Sequence, residues 1–76
     1  MLNKLDKREG EKKLKYRIRE LREKEGMTQE ELSIAANVSR TIISGLESGT
    51  VTVTTTGTLS KIANALNKKV SDIFLD

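Results

Sequence analysis

The sequence has no cysteine, no histidine, no proline and no tryptophan. Without cysteine and histidine, disulfides, zinc fingers, Cys or His nucleophiles and His acid–base chemistry are excluded. No metal and no cofactor is expected. Tyr16 and Phe74 are the sole aromatic residues, so the 36% hydrophobic content is almost wholly aliphatic. The longest apolar runs cover only a few residues, which leaves nothing to cross a bilayer. No apolar leader region stands near the start, and a cytoplasmic location is the expectation.

What is present fits one small domain of 76 residues. Folding at this length buries only about 60% of the unfolded chain's surface, so the core must be small. The aliphatic composition suits a compact bundle of short helices. Net charge is +3, but residues 1–25 carry ten basic and six acidic side chains, against four and five in residues 26–76. A basic front half suits a one-sided polyanion-binding surface, although a solvated mixed-charge helix would read the same way.

Residues 1–11 are mostly polar and include Gly10, which predicts a loose arm ahead of a domain over residues 12–76. Leu14, Ile18 and Leu21 recur at spacings of four and three, predicting a first helix over residues 12–25 with Gly26 as its stop. Thr28-Gln29-Glu30-Glu31 has the form of a capping box, opening a second helix from Gln29 to about Ala36. Asn37 tolerates the left-handed conformation that the following turn requires. Ser39 is a good N-cap for a third helix ending near Ser48, before Gly49. Residues 50–56 are dense in threonine and valine, which disfavours helix and predicts an extended loop with Val51 or Val53 turned inward. Leu59, Ile62, Ala63 and Leu66 mark a fourth helix ending at Asn67. Ser71 is placed to cap a last short turn carrying Ile73 and Phe74. The fold expected is all-α, a compact five-helix domain.

Two short helices joined by Asn37-Val38-Ser39 have the spacing of a helix-turn-helix, with Ser33 small enough for the crossing and Val38 and Ile43 as apolar plugs. The stretch TQEELSIAANVSRTIISGLESG, preceded by IRELREKEGM and followed by LSKIANALNKKVSDIF, resembles the lambda-repressor/Cro-like (Xre-type) DNA-binding domain. The likeness covers residues 16–75 and combines the Gln-initiated second helix, the Ile-Ser pair, the Glu-x-Gly ending and a matching fourth helix.

The resemblance implies a sequence-specific transcription regulator, a repressor, placing helix 39–48 in the major groove of double-stranded DNA. It implies a homodimer on an inverted repeat, with half-sites roughly 34 Å apart. It carries base reading to Arg40, Thr41, Ser44 and Gly45, of which Arg40 is suited to the O6 and N7 of guanine. Phosphate binding falls to Thr28, Gln29 and Ser39, with Gln29 aided by the amides of its helix start. Arg22 and Glu47 match a structural pair linking the first and third helices.

Three features depart from the family's pattern. Ser33 replaces an alanine, its hydroxyl expected to bond a carbonyl one turn back. Gly45 stands where many relatives carry a reading side chain, so either the backbone approaches DNA there or the helix is weaker by about 1 kcal/mol. The Thr-rich loop lacks the usual basic residues; Thr50 and Thr52 can bond phosphates through hydroxyls and amides, or the loop is a plain connector.

A rival reading is an antitoxin or adaptor that binds a protein through Ile34, Ile42 and residues 70–75. An enzyme is not expected, because a small helical domain without histidine offers little room for a paired nucleophile and base.

Overall fold

The computed structural model describes residues 15–75, and the expected arm at residues 1–11 lies outside them, as does Leu14. Five helices follow in order: α1 (Ile18–Lys24), α2 (Gln29–Ala36), α3 (Arg40–Ser48), α4 (Thr56–Ala65) and α5 (Val70–Ile73). The architecture is all-helical, and no strand forms among the described residues.

Local chemistry sets most boundaries. At the start of α2 the Thr28 hydroxyl accepts from the Glu31 amide at 3.0 Å, while the Thr28 amide donates to Glu31 Oε1 at 2.8 Å. Ser39 accepts from the Ile42 amide at 3.1 Å and so opens α3. Four helices end on a residue in the left-handed region: Gly26 (φ 71), Asn37 (φ 59), Gly49 (φ 88) and Asn67 (φ 59). After Gly26, Asn37 and Asn67 the next residue's amide bonds back into the helix: Met27 N–H to Arg22 O and Val38 N–H to Ser33 O, both 3.1 Å, and Lys68 N–H to Ala63 O, 2.8 Å. These satisfy carbonyls that a helix end otherwise leaves unpaired.

The apolar stripes meet in a single core. Ile18, Leu32, Ile43, Leu46, Ile62, Leu66 and Ile73 are fully buried, with Leu21, Ala36, Val38, Leu59 and Ala63 around them. In this core α2 packs on α3 and α4, α1 on α3, and α4 on α5. Burying a helix face against neighbours is what sustains helices this short.

Four expectations are corrected here. The first helix begins at Ile18 rather than at residue 12. Residues 15–17 are instead extended against the chain's end: Arg17 N–H donates to Ile73 O at 2.7 Å, and Leu75 N–H donates to Lys15 O at 2.9 Å. Tyr16 and Phe74 face each other in this antiparallel bridge, ring centroids 5.5 Å apart. The extended loop stops one residue earlier than expected, because the Thr55 hydroxyl accepts from the Thr58 amide at 3.1 Å and Thr56 already belongs to α4. The last turn opens at Lys69, whose amide donates to Asp72 Oδ2 at 2.9 Å, and Ser71 lies inside it. Ser33 bonds forward across the turn to Val38 O at 2.7 Å, not backward along its helix. Of the two loop valines, Val51 packs on the core while Val53 stays 84% exposed.

Candidate nucleic-acid interface

Helix α3 carries two faces. Ile43 and Leu46 point into the core, and Arg40, Thr41, Ser44 and Ser48 are exposed on the opposite side. The spacing of Arg40, Ser44 and Ser48, one residue in four, aligns them along the helix. Arg40, Thr41 and Ser44 line a shallow depression with Gln29, the first residue of α2. A second depression beside it is lined by Arg19, Arg22, Gln29, Ser44, Glu47 and Ser48. The surface is therefore shaped by α2 and α3 together, with α1 contributing Arg19 and Arg22.

Beneath it lies the pair that fixes α3. Arg22 Nε donates to Glu47 Oε2 at 2.7 Å, and Arg22 Nη2 donates to Glu47 Oε1 at 3.0 Å. The two side chains are 11% and 4% exposed, so the pair is largely out of water. The hydrogen bonds to Glu47 raise the Arg22 guanidinium above its ordinary value, against the opposing effect of burial. Arg22 therefore stays charged at every working pH. A carboxylate in the last turn of α3 faces the negative end of the helix dipole, and the guanidinium from α1 offsets this. Arg22 Nη1 also donates to Met27 O at 2.7 Å, in the turn before α2.

Gln29 completes the network. Its Nε2 donates to Glu47 Oε1 at 3.0 Å, which engages one of its two amide hydrogens. Arg22 and Glu47 thus hold α1, the α1–α2 turn, the start of α2 and the end of α3 in one arrangement. The bonds to Met27 and Gln29 have no counterpart in the sequence reading. Eighteen residues separate Gln29 from Glu47, and no local pattern links them.

The other residues read from the sequence fall in different places. Thr28 and Ser39 are exposed caps, their oxygens accepting from helix amides while their hydroxyl hydrogens remain free to donate. Thr50 is exposed and lies 2.9 Å, hydroxyl to hydroxyl, from Ser48. Thr52 is half-buried, and its carbonyl accepts from the Tyr16 hydroxyl at 2.9 Å. Gly45 lies beneath the loop after α3: a Cβ built there would collide with Cγ2 of Val51 and sit 3.1 Å from its Cβ. The chain's own loop therefore approaches α3 closely at this glycine. Arg19, on α1, pairs with Glu23 at 3.1 Å in an exposed bridge and stands at the edge of the α2–α3 surface.

The model of one family, described as helix-turn-helix, matches residues 18–73, well over half of the chain. The chain belongs to the lambda-repressor-like helix-turn-helix family. This is a family of DNA-binding regulators, and the matched residues run from the first residue of α1 to the last of α5. In that family's terms α2 and α3 form the helix-turn-helix, with Asn37 in its turn. No curated protein matches the chain. Among the described residues no helix is long and apolar enough to cross a membrane, and no cluster of acidic side chains could hold a metal ion.

Proposed function

We propose that this helix-turn-helix protein is a sequence-specific transcriptional repressor that inserts α3 into the major groove and binds as a two-fold homodimer on an inverted repeat. The observation that supports it is the exposed polar row of α3 set beside the N-terminus of α2 and braced from below by the Arg22–Glu47–Gln29 network. Arg40 is the main base reader; it is exposed at the start of α3 and has no ion-pair partner among the described residues. Its guanidinium suits the two acceptors of guanine in the major groove, with Thr41 and Ser44 contacting neighbouring bases. Gln29, Thr28 and Ser39 bind phosphate oxygens through hydroxyl and amide hydrogens, and Thr50 and Thr52 extend this along the backbone from the next loop. Selection of bound sequences from a random duplex pool tests the reading. An inverted repeat with half-sites roughly 34 Å apart is expected. Recovery of a single half-site would refute the dimer, and no enrichment at all would refute sequence-specific binding.

A second reading has one observation in its favour. Ile34, on the outer face of α2, is 73% exposed, and Ile42 on α3 is exposed as well. Apolar side chains there suit a protein partner, as an antitoxin or adaptor would need. Retention of a partner protein that survives Arg40→Ala, with no affinity for any duplex, would favour that role.

A further inference from the structure

The loop after α3, residues 49–55, is tied down at nearly every position except its tip. Thr50 N–H donates to Ser48 Oγ at 3.3 Å, and Val51 N–H donates to Gly45 O at 2.9 Å. Thr52 O accepts from the Tyr16 hydroxyl at 2.9 Å, and Thr55 caps α4. Gly49 N–H donates to the same Gly45 carbonyl at 3.0 Å, so one residue of α3 receives the end of its own helix and the loop beyond. The Val51 side chain lies in the space a Cβ at Gly45 would fill. The amides of Thr52, Val53 and Thr54 donate to no acceptor among the described residues, which leaves the tip as a row of free donors.

A glycine inside an α-helix is costly, because its backbone loses more freedom on folding than any other. Gly45 has an ordinary helical backbone and is not required by a left-handed conformation. What requires it is space. A Cβ at position 45 would collide with Cγ2 of Val51 and lie 3.1 Å from its Cβ, so Val51 would have to shift from its seat on α3.

We propose that Gly45 is a positioning residue: it seats Val51 and so fixes loop 49–55 to the recognition helix, making helix and loop one rigid surface for the duplex. The proposal rests on the DNA-binding reading and deepens it. Gly45 reads no base itself. It holds the donors of the loop in register with Arg40, Thr41 and Ser44, so that phosphate contacts from the loop and base contacts from the helix form together. Pre-organised donors lose less freedom on binding than donors that must first be gathered, which is how such fixing raises affinity.

The test compares the wild-type protein with Gly45→Ala, Val51→Ala and the double variant, in binding to the selected duplex and in hydrogen exchange of the Val51 amide without DNA. Gly45→Ala should lose protection at that amide and bind about tenfold more weakly, the equivalent of about one or two hydrogen bonds lost. Alanine is the better helix former, so a fall in affinity without a fall in melting temperature would separate positioning from stability. Val51→Ala loses the side-chain packing on α3 but keeps the amide bond to Gly45 O, so it should bind more weakly than wild type yet more tightly than Gly45→Ala. The double variant should regain the affinity of Val51→Ala, because removing Cγ2 clears most of the collision. Should Gly45→Ala fail to fold, recovery of folding and affinity together in the double variant supports the proposal. Wild-type affinity in Gly45→Ala overturns it. So does a double variant that folds yet binds as weakly as Gly45→Ala, because the α carbon of Gly45 would then itself face the groove. A wild-type protein without duplex affinity overturns the DNA-binding reading instead, and the exchange measurement still decides whether Gly45 fixes the loop.

Discussion

Replacing Arg22 with methionine tests how α3 is held. The change keeps much of the apolar stem and removes the guanidinium, which leaves the Glu47 carboxylate, 4% exposed, with only the Gln29 amide as a donor. Met27 O loses its donor at the same time. Stranding one member of a buried pair costs about 3–5 kcal/mol, because the remaining charge has neither water nor partner. Glu47→Leu makes the reciprocal error, though Arg22 keeps its bond to Met27 O, so its cost should fall toward the lower end of that range. Removing both charges leaves only Gln29 Nε2 and Met27 O short of a partner. At about 1 kcal/mol each for net hydrogen bonds, the double variant should lose much less than the sum of the singles. A domain of this size has roughly 5 kcal/mol of total stability, so either single change brings it close to unfolding. Urea unfolding of Arg22→Met, Glu47→Leu and the combination gives the coupling directly; at least about 2 kcal/mol is expected between groups in direct contact. Additive losses below a kilocalorie per mole would refute the reasoning, since they would mean that water screens the pair.

Arg40→Ala should weaken binding to the preferred site by about 1–3 kcal/mol and relax preference at one base position; competition against single-base variants of the site checks this, and an equal loss on every duplex would make Arg40 a phosphate contact. Affinity should fall steeply with added salt, as neutralised phosphates release counterions; titrations at rising salt that give a flat slope would count against phosphate-dominated binding. Trimming residues 1–11, which include Lys4, Lys7 and Arg8, should weaken DNA binding without lowering the melting temperature. A large fall in melting temperature would place those residues within the folded domain.

The amino-acid sequence alone determined what local chemistry can decide. The caps at Thr28 and Ser39, the turn at Asn37 and the stops at Gly26, Gly49 and Asn67 each depend on neighbours within a few residues, so their signals are legible as strings. The apolar stripes are legible for the same reason, since a helix repeats on itself. Tertiary structure decided the rest, where partners are distant in the chain. Residues 15–17 lie between the periodic positions Leu14 and Ile18, yet they are extended because the backbone of residues 73–75 offers them hydrogen bonds. At Gly45 the sequence offers a weak point or a place for DNA to approach, and only the fold shows Val51 packed against it. Gln29 reads from the sequence as a phosphate-binding residue, and nothing local shows that Glu47 reaches it from another helix and engages one of its hydrogens. A sequence can state which groups need a partner. Which partner satisfies them is settled by packing, because a buried donor takes the acceptor that the folded core brings within 3 Å.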